Sequence, residues 1–125
     1  MDIKTLLFQK LKQARLLPQT EFIILYGSVS RKESTPLSDI DICISLNLPT
    51  KERLKARITL SGELPDKFDI QIFEDLPIYV QKEVLGGILL YCKQKTKLID
   101  RAINLIREFE DFEPIYNEYL AQAET

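Results

Sequence analysis

The chain has 125 residues, of which 45% are hydrophobic, enough for one compact domain with its own core. Its net charge of −2 argues against a broad electrostatic surface for nucleic acid. The absence of histidine excludes Ser-His-Asp and Cys-His systems, zinc protease motifs and every imidazole general base. Any chemistry must therefore use carboxylates, lysine, serine or tyrosine.

No stretch of the sequence predicts a membrane span or a secretion signal. The longest uncharged runs contain nine residues, against the roughly 20 that cross a bilayer. The start, Met1-Asp2-Ile3-Lys4, lacks the basic region, apolar run and small-residue cleavage site of a signal peptide. Cys43 and Cys92 lie far apart and have no histidine to complete a zinc site, so we expect reduced thiols. These features predict a cytoplasmic protein.

The first quarter of the chain predicts a helix, a buried strand and a turn. Apolar residues at helical spacing indicate an amphipathic helix that ends before Pro18. Residues 22–26 form a short run of branched and aromatic residues, typical of a buried strand, which Gly27 stops. Residues 29–38 are polar and predict one short helical turn followed by a loop.

Two later segments alternate between apolar and polar residues, as half-buried strands do. Residues 39–44 place isoleucines on one face and Asp39, Asp41 and Cys43 on the other. Residues 68–73 repeat this pattern, with Asp69 on the polar face. The pattern predicts a second and a third strand.

The remaining segments predict helices. Thr50 can cap a charged helix that carries Leu54, Ile58 and Leu60, and Pro77 suits the first turn of another. The C-terminal segment 95–125 carries a helical stripe that Pro114 should interrupt or bend, and it should pack on its own domain or on a partner. The order of elements predicts an α/β (α+β) fold, a small mixed sheet flanked by helices.

The second strand carries two aspartates on one face. Asp39 and Asp41 should lie roughly 7 Å apart along the strand, since neighbours two apart project to the same side. Such carboxylates repel each other, and a cation with oxygen ligands such as Mg2+ is the simplest reason to keep them together. If the third strand lies beside the second, Asp69 joins them, and three carboxylates could hold two metals for displacement at phosphorus.

The turn after the first strand can bind a phosphate. Gly27 lets backbone N–H groups approach a phosphate closely, and the Ser28 hydroxyl adds a donor. A phosphate cradle and a metal platform are what phosphoryl transfer requires besides a nucleophile. No covalent enzyme nucleophile is needed, which agrees with the absent histidine.

This arrangement resembles the DNA polymerase β-like nucleotidyltransferases. The resemblance rests on Gly27-Ser28, ten further residues and Asp39-Ile40-Asp41, with a later strand that contains Asp69. The short length is similar to that of the minimal nucleotidyltransferases (MNT), which pair with HEPN proteins in toxin–antitoxin systems. The resemblance spans the whole chain and implies a single nucleotidyltransferase domain over residues 1–125, with the polymerase β-like palm fold.

The resemblance also implies roles for individual residues. Asp39, Asp41 and Asp69 would bind Mg2+, two ions in all, and Asp69 would position or deprotonate the attacking hydroxyl. Gly27 and Ser28 would hold the β and γ phosphates of ATP.

A nearby arginine adds to the implied nucleotide site. Arg31 matches an arginine close to the triphosphate in the family. Ser30 and Lys32, which flank it, depart from the Gly-Ser-x-Ala-Arg-Gly pattern of many relatives.

The implied activity is Mg2+-dependent transfer of AMP from ATP to a hydroxyl, with release of pyrophosphate. The implied acceptor is a tyrosine of a HEPN toxin, so the chain would be the antitoxin of a type VII-like pair. Two alternatives stay open: an antitoxin that neutralises its HEPN partner by docking alone, and a nucleotidyltransferase for small molecules. We expect a partner protein to complete the pocket of so short a chain. A homo-oligomer is also possible in this reading. Membrane binding and direct nucleic-acid binding are not expected.

Structural roles compete with these functional ones. The aspartates could be solvated or paired with cations, Arg31 could be a surface residue, and Tyr26 and Gln71 are expected to be structural. Residues 108–125 carry six acidic residues and no Lys or Arg, interleaved with aromatics. This pattern is usual for a helix that packs on its own domain, with partner docking as the alternative.

Overall fold

In the part of the chain that the structure describes, four strands form one mixed sheet. The computed structural model describes residues 2–27 and 39–123, without the side chains of 119 and 123. The central strand β1 (Thr20–Tyr26) pairs antiparallel with β2 (Ile40–Leu46) and with β4 (Ile88–Cys92). β3 (Phe68–Ile72) pairs parallel with β2, so β3 and β4 are the two edges of the sheet.

Helices cover both faces of this sheet. The described helices are α1 (Ile3–Gln13), α2 (Thr50–Glu63), α3 (Ile78–Leu85) and α4 (Lys95–Ala123). Two short 3-10 turns, Leu17–Gln19 and Phe73–Asp75, follow α1 and β3. Within the described ranges, no helix has the length and apolarity that crossing a membrane requires.

The alternation of the strands divides the core into two layers. On one face, Ile42, Ile44, Ile70 and Ile72 pack with the buried side chains of α1 and α2. On the other face, the core is smaller and joins α3 and α4 to the sheet; its buried members are Phe22, Ile24, Cys43, Phe73, Val84 and Leu105. The predicted fold class and the predicted faces of β2 are therefore confirmed.

A partly buried polar network fastens α4 to the end of β2. The backbone N–H of Leu46 and the hydroxyl of Ser45 both donate to the Glu74 carboxylate. Arg101 on α4 donates to the same carboxylate and to the Ser45 hydroxyl, both at 2.9 Å. Because each polar group has a partner, this network fixes the helix without leaving a charge unpaired.

Several sequence predictions are corrected by the structure. Residues 88–92 form strand β4, which was not among the predicted elements, and Phe73 begins a 3-10 turn instead of extending β3. Thr50 is the first residue of α2 and does not cap it, because Pro49 occupies the cap position. Pro77 is likewise the cap residue before α3 rather than part of its first turn.

The orientation of α2 also differs from expectation. Leu54 and Ile58 are 55% and 63% exposed, whereas Ala56 and Leu60 are buried. Residues four apart share a helix face. Ala56 and Leu60 therefore lie on one face of α2, and Leu54 and Ile58 lie on the opposite face. The smaller Ala56 therefore contacts the core.

Helix α4 continues through Pro114 to Ala123, so the predicted interruption is absent. Its aromatic side chains pack on α3: Tyr116 stacks on Tyr79 at 5.0 Å between ring centroids, and Lys82 lies 4.1 Å from the ring of Phe109. These contacts hold the helix on both sides of the proline, which offsets its lost backbone hydrogen bond.

Gly87 provides a test of the packing between β1 and β4. A Cβ at Gly87 would overlap the carbonyl oxygen of Leu25 and lie 2.9 Å from a methyl group of Ile24. We expect Gly87→Ala to lower the free energy of unfolding by about 1–3 kcal/mol in urea titrations. The control Gly62→Ala, where a Cβ meets open space in α2, should leave it unchanged or raise it by up to about 1 kcal/mol. Equal stability of the two variants would contradict this.

Candidate active site

Three side chains form a row across the strands near the end of β1. In the register of the sheet, Tyr26 lies opposite Asp41, and Asp41 lies opposite Asp69. Directly opposed residues project to the same face of a sheet. The structure therefore brings Asp41 and Asp69 together as predicted, and adds Tyr26 to what we term the carboxylate row: Tyr26, Asp41 and Asp69.

The turn residue Gly27 lies against this row. Its φ of +75° is in the left-handed region that L side chains rarely adopt. A Cβ at this position would overlap Oδ2 of Asp41 and lie 3.1 Å from its Cγ. Only glycine therefore allows the chain to turn so close to the Asp41 carboxyl.

The position of Asp41 disfavours its negative charge. Partial burial raises the pKa of Asp41, and the nearby charges of Asp69 and Asp39 raise it further. A hydrogen bond with the Asp69 carboxyl acts in the same direction. The pair is therefore poised to share a proton or to accept a cation.

Gln71 holds the second carboxylate of the row. Its side-chain amide donates to Oδ1 of Asp69 at 3.1 Å. The two residues are neighbours on one face of β3, so the alternating pattern was the signal that could have associated them. This contact orients the Asp69 carboxylate.

The phenol and the thiol near the row stay neutral. Burial raises the pKa of Tyr26, and the negative charges of Asp41 and Asp69 act in the same direction. Burial also raises the pKa of Cys43, which is a free buried cysteine as expected. Neither group can act as a base near neutral pH, so proton acceptance at this site falls to the carboxylates.

The remaining predicted site residues are not all part of this row. Asp39 precedes β2, is exposed and influences Asp41 through its charge. No three acidic or cysteine side chains in residues 2–27 and 39–123 gather closely enough to hold a metal ion. Ser28 and Arg31 lie outside the described residues, as does Lys32.

The donor chemistry of the row nevertheless fits a hard divalent cation. Asp41 and Asp69 are adjacent carboxylates, and Mg2+ typically takes one or two protein carboxylates and fills its other positions with water and substrate phosphates. A cation between them would relieve the repulsion that raises the pKa of Asp41.

A separate cavity of about 400 Å³ lies at the opposite end of β1 and β2. It is lined by Phe22, Leu46 and Arg101 among others. Its arginines already have partners: Arg53 donates to Asp75 at 2.8 Å, and Arg101 to Glu74. Because it lies at the other end of these strands, this cavity is not part of the carboxylate row.

Comparison with known proteins identifies the domain. The family model described as "Polymerase beta, Nucleotidyltransferase" matches residues 9–96, which include Gly27 and the whole carboxylate row. A protein of Methanocaldococcus jannaschii named "Putative protein adenylyltransferase MJ1547" is 41% identical over 63 residues, or 50% of this chain and 48% of that protein. The chain thus matches about half the length of this curated relative.

Solved structures share the fold over nearly the whole chain. A structure described as a toxin-antitoxin with AMP-PNP matches with a TM-score of 0.77 and 17% identity, over 99% of this chain and 100% of that one. A structure of a tri-AMPylated Shewanella oneidensis HEPN toxin in complex with MNT antitoxin matches with a TM-score of 0.70 and 17% identity, over 98% and 96%. With the family model matching most of its length, the chain belongs to the polymerase beta nucleotidyltransferase family.

Proposed function

We propose that this protein is a Mg2+-dependent adenylyltransferase that moves AMP from ATP to a hydroxyl of a protein acceptor. The observation that carries the proposal is the Asp41 and Asp69 pair beside the Gly27 turn, inside a polymerase beta nucleotidyltransferase domain. The name of the 41% identical relative supports protein as the acceptor class. AMP-PNP in one similar structure supports an adenine nucleotide as the donor.

The proposed acceptor is a tyrosine of a HEPN toxin, which this chain would inactivate as its antitoxin. The support is the similar complex of an AMPylated HEPN toxin with an MNT antitoxin. Because such a pair acts inside the cell, we propose a cytoplasmic location. We also propose that residues 1–125 work as one domain, with the C-terminal segment packed on α3 as its aromatic contacts suggest.

The proposed reaction is an in-line displacement at the α phosphorus of ATP. The acceptor oxygen forms a bond to phosphorus, the bond to pyrophosphate breaks, and the hydroxyl proton passes to a carboxylate. Asp69, oriented by Gln71, is the proposed acceptor of that proton. Asp41 and Asp69, together with Asp39, would hold Mg2+, which when bound neutralises charge on the phosphates. Gly27, Ser28 and Arg31 would bind the triphosphate.

Neutralisation by docking alone is the second candidate function. It is favoured by apolar side chains that the C-terminal part of α4 leaves exposed, Ile115 at 65% and Leu120 at 40%. The two functions differ in what they require of the carboxylate row, since docking needs no carboxylate chemistry.

Asp41→Asn should separate these functions. It keeps the shape of the side chain but removes its charge, so we expect AMP transfer to fall by roughly 100-fold or more. The measurement is the label passed from radioactive ATP, with Mg2+, to the purified product of the adjacent gene, the proposed HEPN acceptor. Asp111→Asn, at an exposed position on α4, is the matched control and should retain the wild-type rate. Undiminished transfer by Asp41→Asn would refute the mechanism, whereas neutralisation without transfer would favour docking.

The same variant should not be less stable than the wild type. Folding raises the pKa of Asp41. Above this raised pKa, the ionised carboxylate destabilises the folded state. Below the pKa of Asp41 in the unfolded chain, the carboxyl is protonated in both states and its ionisation has no effect on stability. In metal-free buffer at pH 7 we expect Asp41→Asn to raise the melting temperature by roughly 2 °C, allowing for partial hydration of the pair. The gain should vanish near pH 3. A loss of stability at pH 7 would contradict the repulsion described above.

Gly27→Ala tests the turn. The added methyl group would displace the Asp41 carboxyl, and the left-handed φ would cost roughly 1 kcal/mol of stability. We expect transfer to fall by roughly 10-fold or more while the protein stays folded by circular dichroism. Gly62→Ala serves as the control with unchanged transfer. Wild-type transfer by Gly27→Ala would show that the contact with Asp41 is unimportant.

A further inference from the structure

The long helix α4 has a second apolar face that no described part of the chain covers. Its inner face carries Leu105 into the core, whereas Ile99, Ile103 and Ile106 on the outside are 56%, 44% and 47% exposed. Spacings of four and three residues place these isoleucines in one line along the helix. We call them the isoleucine stripe. An amphipathic helix ordinarily turns charged residues to this side.

Charged residues border the isoleucine stripe in an ordered way. Lys95 lies one turn before Ile99 and Glu110 lies one turn after Ile106, both on the line of the stripe. Asp100 and Arg107, two turns apart, follow one flank. All four are exposed, and within residues 39–123 none of them forms an ion pair.

The charges and isoleucines of this pattern match those of α4 in a second copy of the chain when the two helices are antiparallel. With the centre of the crossing near Ile103, Ile99 of each copy meets Ile106 of the other, and Lys95 meets Glu110. In an antiparallel pair related by a two-fold axis, the flank that carries Asp100 and Arg107 lies on the same side of the interface in both copies. Asp100 of each copy therefore also meets Arg107 of the other. A parallel arrangement would instead oppose like charges.

We propose that two copies of this chain associate through the isoleucine stripe as an antiparallel pair of α4 helices. The contact would extend about 22 Å along the helix, at 1.5 Å per residue from Lys95 to Glu110. One helix pair is at the low end of specific interfaces, so we expect a reversible dimer with a dissociation constant on the order of 10 µM. The proposal does not depend on the transferase activity.

Sedimentation velocity of the purified full-length chain from roughly 1 to 300 µM tests the dimer. We expect a concentration-dependent shift from monomer to dimer. Ile103→Glu, which places two carboxylates at the centre of the crossing, should keep the protein monomeric throughout. Ile58→Glu is the matched control, since Ile58 is 63% exposed on α2, and it should dimerise like the wild type. Circular dichroism should show both variants folded.

Charge reversal tests the antiparallel register. Lys95→Glu and Glu110→Lys should each weaken the dimer roughly 5- to 20-fold, because two ion pairs become repulsive contacts. The double variant, which restores both pairs, should return the dissociation constant to near the wild-type value. Failure of this rescue would overturn the register.

Two other outcomes would overturn the dimer itself. One is a monomer at every concentration, and the other is a dimer that Ile103→Glu leaves intact. If the chain alone stays monomeric and Ile103→Glu instead abolishes its binding to the product of the adjacent gene, the stripe belongs to that partner and the dimer is refuted.

Discussion

The parallel register between β2 and β3 is the constraint on which the rest of the site depends. The same pairing that sets Ile42 beside Ile70, and Ile44 beside Ile72, sets Asp41 beside Asp69. A slip of one residue would turn the isoleucines to the other face and the aspartates into the larger core layer. Burial of four isoleucines therefore enforces a contact between two carboxylates that would otherwise move apart.

This arrangement explains why the carboxylate row is locally unfavourable yet present. Partial burial and neighbouring charges raise the pKa of Asp41, and Gly27 must take a left-handed φ to pass beside it. Neither feature stabilises the isolated fold. Both become useful if a cation and a phosphate occupy the site, since proteins commonly give up some stability where a site must bind charge.

Helix α4 links the sheet to the surface that we propose for association. Its N-terminal half is fixed from inside by Arg101, which reaches the Glu74 carboxylate at the far end of β2 from Gly27. The aromatic contacts with α3 then hold the helix through Pro114. A helix anchored in this way presents the isoleucine stripe as a rigid surface, which lowers the entropic cost of forming an interface.

The sequence by itself determined the strands β1, β2 and β3 and which faces of β2 and β3 are apolar. It also determined the candidate aspartates and the turn at Gly27. These features depend on alternation and on a glycine, which are properties of neighbouring residues in the chain. Only the tertiary structure decided that residues 88–92 join the sheet as β4, since a short apolar run suits a strand or a buried helix equally well. The same holds for the inward face of α2, the bond from Gln71 to Asp69 and the Glu74 network. Each depends on which distant segment lies alongside, and that is settled by packing of the whole core rather than by neighbours in the chain.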